Sequence, residues 1–143
     1  MSMETLRPEL RRAVEAAHNK KAGNVTLLDL SGLGAFTGWF MVCTGFSTRQ
    51  VAAIGEEIEE QLGRLGLRLQ HREGGGESEW VLLDYGSFLV HIFTERARLF
   101  YDLERLWRAA RRISIPDTGP ESASAGAASR PGATDISEGS AEA

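Results

Sequence analysis

Apolar positions recur along this chain in two periods, and the switches between them mark its elements. Leu6, Leu10, Val14 and Ala17 follow one another at four or three residues, the stripe of an amphipathic helix starting near Thr5. Pro8 falls in its first turn, where a missing N–H is harmless. Lys20 and Lys21 suit the negative end of the helix dipole, and Gly23 can close the helix. Val25–Leu30 and Trp39–Thr44 are nearly continuous apolar runs, the pattern of strands covered on both faces. Ser47 and Gln50 form an S-x-x-Q capping box, which predicts a second helix. Val51, Ile54, Ile58, Leu62 and Leu65 supply its apolar stripe, and Gly63 and Gly66 end it. Glu56, Glu57, Glu59 and Glu60 fall mainly off that stripe and read as a solvated face.

A third strand is expected over Leu67–His71. The loop Glu73–Glu77 then leads into Trp80–Asp84, a Tyr85-Gly86 turn and Phe88–Phe93, which together read as a β-hairpin. A last helix is expected over about Phe100–Ala110. Strands interleaved with helices predict an α/β fold: a single mixed sheet of about five strands flanked by helices.

Period two divides the hairpin. Val81, Leu83, Phe88, Val90 and Ile92 form a wholly apolar face that should meet the core. Trp80, Leu82, Asp84, Ser87, Leu89, His91 and Phe93 form the other, where large apolar groups stand beside polar ones. A two-residue turn at Tyr85-Gly86 would pair Asp84 with Ser87 and Trp80 with His91; a bulge would shift that register. The mixed face suits a partner, since aromatic anchors with nearby polar groups dominate interface energetics. It equally suits a cover by the last helix, and the pattern alone leaves both open.

Composition adds boundaries. Residues 1–115 carry 15 basic and 15 acidic side chains, so the net charge of −4 lies in residues 116–143. That tail is built from Ala, Gly, Ser, Pro and acidic residues. It cannot bury enough apolar area to offset ordering entropy, which predicts disorder. The expected organisation is one domain over 1–115 followed by an acidic tail. A neutral domain lacks the electrostatic footprint of a protein that grips bare nucleic acid, so direct sequence-specific nucleic-acid binding is not expected. Cys43 is the lone cysteine, which fits a reducing compartment. No apolar run approaches a membrane span, and Met1–Thr5 does not begin a signal peptide. A cytoplasmic protein without membrane contact is expected.

Chemical motifs are sparse. His18, His71 and His91 belong to different elements and have no zinc-like spacing. Gly74-Gly75-Gly76 lacks the following Lys-Ser/Thr of a phosphate loop. There is no G-x-S-x-G elbow, and Cys43 has no evident partner base. Asp29, Asp84 and Asp102 include no D-x-D pair for a two-metal site. Neither a catalytic set, a metal site nor a cofactor is expected.

Several blocks together resemble the ribosomal silencing factor, or Iojap-like, family. They are Thr44–Val51, Glu73-Gly74, Trp80–Gly86, Val90–Phe93, Arg98, Tyr101, Leu103-Glu104 and Leu106-Trp107, in the family's order across about residues 8–110. The resemblance implies a fold similar to nucleotidyltransferases without their catalytic residues. It implies binding to ribosomal protein fourteen on the face of the large subunit that meets the small one. Occupying that face would block subunit joining and lower translation when nutrients are scarce. It also implies a homodimer when the protein is free. Two positions depart from the family pattern: Gly38 and Ser87 stand where acidic residues are common. The expected partner-binding residues are Trp80, Leu82, Asp84, Tyr85 and His91, with Tyr101 and Glu104 from the last helix. Two other readings remain: a nucleotide-using enzyme on the same fold, and a dimeric scaffold with another partner.

Overall fold

The computed structural model describes residues 6–117. Beyond Asp117, the tail expected to be disordered lies outside the described residues. The chain runs α1 (Pro8–Asn19), β1 (Gly23–Asp29), β2 (Trp39–Gly45), α2 (Thr48–Arg64), β3 (His71–Glu73), β4 (Trp80–Asp84), β5 (Phe88–Thr94), α3 (Glu95–Tyr101), α4 (Leu103–Leu106) and β6 (Arg111–Ser114). The strands form one sheet in the order β3-β4-β5-β2-β1-β6. The β2–β5 pair is parallel, and the other pairs are antiparallel. This is the expected mixed α/β sheet, with six strands rather than about five.

Helix ends follow local chemistry. The Ser47 hydroxyl accepts from the Gln50 N–H at 3.0 Å, as the capping box predicts. The Gln50 side chain reaches back to the Phe46 N–H at 2.7 Å, and its amide donates to the Lys20 and Lys21 carbonyls. One residue thus starts α2 and ties it to the end of α1. Gly66 closes α2 in the left-handed region, while Gly63 stays inside the helix. At α1 the left-handed residue is Lys21 instead of Gly23, which opens β1.

The sheet separates two apolar layers. On the inner face, α1 and α2 lay Leu10, Val14, Val51, Ile54, Ile58 and Leu62 against Leu27, Met41, Cys43, Val81, Leu83, Phe88, Val90 and Ile92. The five hairpin residues assigned to the core face all lie there. On the outer face, Leu28, Phe40, Val42, Leu89 and Phe93 pack under Ala97, Leu103, Trp107 and Ala110. Both central strands are therefore covered on both sides, as their unbroken apolar runs require.

Four expectations need correction. The hairpin turns at Gly86-Ser87, with the Tyr85 N–H donating to the Phe88 carbonyl at 3.0 Å. Asp84 therefore pairs with Leu89, Leu82 with His91 and Trp80 with Phe93. The register moves by two residues, which leaves every side chain on its expected face. The third strand begins only at His71; before it, Gln70 donates its N–H to the Asp84 carbonyl at 2.8 Å. The last helix is two short helices, broken at Asp102 in the left-handed region (φ 49°). Short polar side chains visit that region more readily than other non-glycine residues. Finally, Arg111–Ser114 forms β6 on the edge of β1.

Candidate functional site

The outer face is only partly covered, and the uncovered part begins at Trp80. Two features place that residue. Gly74 lies in the left-handed region (φ 83°), and a Cβ there would press into the Trp80 carbonyl. Only glycine lets the β3–β4 connection pass so close. On the other side, the Thr94 N–H donates to the Glu79 carbonyl at 2.9 Å, and the Thr94 hydroxyl donates to the Glu79 carboxylate at 2.9 Å. Arg96 pairs with the same carboxylate.

The Trp80 ring stacks on Phe93 at 5.1 Å and meets Tyr101 at 4.5 Å between centroids. Its indole N–H donates to His91 Nδ1 at 3.1 Å. Leu82, the next outward residue on β4, packs beside it. Trp80 and Leu82 are half-buried, whereas Tyr101 is 46% exposed.

The cover over the rest of this face is held by Arg98. Its guanidinium spends its donors on the Asn24 carbonyl (2.6 Å), Thr44 Oγ1 (3.0 Å), Thr26 Oγ1 (3.1 Å) and both oxygens of Glu104 (3.2 and 2.6 Å). Arg112 adds a second contact to Glu104 at 3.0 Å. Burial pushes the Glu104 carboxyl up, but the Arg98 hydrogen bonds and the charges of Arg98 and Arg112 hold it below its ordinary value. This network joins α3, α4, β1, β2 and β6, and Arg98 and Glu104 are both nearly enclosed. Paired, hydrogen-bonded charges are the form in which ions tolerate burial.

Around the break at Asp102 several large apolar side chains face outward. Leu99, Phe100 and Leu106 are 81%, 79% and 71% exposed. Tyr101 lines a groove with Glu73, Glu79, Trp80 and Leu82, and a second depression with Leu99, Phe100, Arg105 and Leu106. It therefore joins the Trp80 end of the hairpin and the α3–α4 ridge into one aromatic and aliphatic surface. Exposed apolar patches of this kind are common at interaction surfaces.

The seven expected partner residues divide. Trp80, Leu82 and Tyr101 come together on this surface. His91 lies beneath it, 4% exposed, with Phe40 at 4.5 Å. Asp84 is at the turn end of β4, and one of its oxygens accepts from the Gly86 N–H at 2.8 Å. Tyr85 packs on the inner face against Phe88 at 5.2 Å, and burial together with the Glu59 charge pushes its phenol up to about 12. Glu104 is committed to Arg98 and Arg112. Gly38 and Ser87 adjoin each other, the Gly38 N–H donating to the Ser87 carbonyl at 3.2 Å. They too stand at the turn end, the opposite end of β4 from Trp80.

Leu99, Phe100 and Leu106 were missed as surface residues. Their signal was present: Leu99, Phe100, Tyr101, Leu103, Leu106 and Trp107 surround a helix more fully than one buried stripe can. Among the described residues, this surface presents large apolar side chains and no evident nucleophile. Cys43 is fully enclosed, and burial pushes its thiol up to about 12, so it stays protonated and inert. Among the described residues, no three or more His, Cys, Asp or Glu side chains gather as a metal site.

Comparison with known proteins agrees with this architecture. A family profile described as ribosomal silencing factor during starvation matches residues 3–140. A ribosomal silencing factor of Bacillus subtilis is 38% identical over 98 residues, 68% of this chain and 83% of that protein. One from Halalkalibacterium halodurans is 35% identical over 106 residues, 74% of this chain and 91% of that protein. A crystal structure of a protein from Chromobacterium violaceum superposes with a TM-score of 0.69 at 32% identity, covering 76% of this chain and 88% of that one. With a matching profile over most of its length and relatives at this identity, the chain belongs to the ribosomal silencing factor family.

Proposed function

We propose that this protein binds the large ribosomal subunit through ribosomal protein fourteen. There it blocks association with the small subunit and represses translation under nutrient limitation. The observation that carries the reading is the open end of the outer sheet face. Trp80, Leu82 and Tyr101 adjoin Leu99, Phe100 and Leu106, and no described segment of the chain covers them. Burying such groups against a partner removes apolar area from water, a gross gain of about 25 cal/mol per Å² from which the ordering costs of association are subtracted. Trp80 is the anchor: it has the largest ring, is half-buried and is already fixed by its neighbours.

The role is steric and needs no catalytic group. Among the described residues, no helix is long and apolar enough to cross a membrane. We place the protein in the cytoplasm, where ribosomes are found, and propose that the free form is a homodimer.

Sedimentation with purified ribosomal subunits tests the proposal. The protein should travel with the large subunit and not with the small one, and its presence should reduce the yield of joined ribosomes. A protein that stays at the top of the gradient at moderate salt would refute it.

A further inference from the structure

His91 occupies a position where an aliphatic residue would pack with less difficulty. It sits on β5 in the outer apolar layer, with Phe40 at 4.5 Å and Phe93 at 6.1 Å between ring centroids. Its Nδ1 accepts the Trp80 indole N–H, so the ring is the neutral tautomer with its proton on Nε2. That Nε2 is buried and has no hydrogen-bond partner among the described residues. A stranded polar atom opposes folding, and a leucine side chain would bring none of its own. The imidazole therefore brings something an apolar side chain cannot: an acceptor beneath the indole of Trp80.

That acceptor acts on the orientation of Trp80. Stacking on Phe93 and Tyr101 holds the plane of the ring, but stacking tolerates rotation and sliding. A directional hydrogen bond at the indole nitrogen selects one orientation. Burial lowers the His91 pKa to about 4, so the acceptor lone pair is free across the neutral range. An anchor already held in its bound orientation loses less entropy on docking.

We propose that His91 is a positioning residue: its Nδ1 fixes the Trp80 indole for docking, and it does not itself touch the partner. The inference rests on the docking role of Trp80 proposed above, and the test separates the two. The full chain is labelled with ¹⁵N, and exchange of the Trp80 indole proton is followed, with Trp80→Phe identifying the signal. Binding to purified large subunits is measured for the unsubstituted protein, His91→Leu, His91→Asn, Trp80→Phe and the Trp80→Phe, His91→Leu double variant. In asparagine, Oδ1 lies near the place of Nδ1, so this substitution retains an acceptor.

The indole proton should be protected in the unsubstituted protein and exchange faster in His91→Leu. Binding of His91→Leu should weaken about three- to tenfold, the cost of ordering one side chain on docking. His91→Asn should recover much of both, and the double variant should bind no more weakly than Trp80→Phe alone. If His91→Leu costs as much in the Trp80→Phe background as alone, His91 does not act through Trp80. A freely exchanging indole proton in the unsubstituted protein also overturns the inference, even if a variant fails to fold. Unchanged binding by Trp80→Phe would instead remove the docking reading itself.

Discussion

The two faces of one sheet are built on different principles. The inner face is a largely aliphatic layer under two long helices, and most of its large side chains are fully enclosed. The outer face is aromatic, carries His91 and the Arg98–Glu104 pair, and is covered by two short helices that stop before the end of β4. The inner layer needs only apolar volume at helix and strand spacing. The outer layer needs directed bonds because its cover is short and kinked, with little apolar area of its own to hold it. Function is read from the face whose packing is incomplete.

Substitutions should separate the faces, beginning with the largest effect. Ile54→Ala removes a fully buried inner side chain and should cost about 2–5 kcal/mol in chemical denaturation. The fraction that remains folded should bind the large ribosomal subunit as before. A binding loss beyond the folded fraction would couple the faces more tightly than described. Arg98→Ala leaves the enclosed Glu104 with Arg112 alone and should cost about 3 kcal/mol, the low end for breaking a buried pair. Hydrogen exchange should then report opening of α3 and α4 before α2, the reverse order being evidence against Arg98 as the pin of the cover.

Acid should also act on the outer face. His91 titrates near 4 in the folded protein, against an ordinary 6.5. The unfolded chain thus takes up the proton first. Stability is fully present above pH 6.5 and is lost as the pH falls toward 4, by about 3 kcal/mol in all. His91→Leu should flatten this part of the pH profile; an unaltered slope would mean other groups dominate it. The smallest effect on stability is expected at the open ridge. Phe100→Ser should leave stability within about 0.5 kcal/mol. The same substitution should weaken ribosome binding about tenfold, an effect of 1.4 kcal/mol.

The closed face was also the more legible in sequence. Its helices announce themselves through the Ser47–Gln50 capping box and the Val51–Leu62 stripe, and period two assigned Val81, Leu83, Phe88, Val90 and Ile92 to it. The turn was displaced to Gly86-Ser87, yet a shift of two residues cannot exchange the faces. The outer face resists such reading because its elements are short. Arg111–Ser114 holds one apolar residue in four and is an edge strand stabilised by pairing with β1, a partner remote in sequence. The break at Asp102 carries neither proline nor glycine, so nothing local interrupts the helical pattern of Phe100–Ala110. The expected docking set shared this weakness. Strand alternation told which face a residue occupies but not how far the α3–α4 segment reaches over it, so His91 was grouped with Trp80 although it lies below the surface.

The open end of the outer face is proposed to dock on the large subunit, with Trp80 as anchor. Co-sedimentation of Trp80→Ala with purified large subunits, alongside the unsubstituted protein and with folding checked by circular dichroism, tests this most directly. The expected result is a folded variant whose affinity falls by about 2 kcal/mol or more, roughly thirtyfold. A folded Trp80→Ala protein that binds the large subunit as tightly as the unsubstituted chain would contradict it.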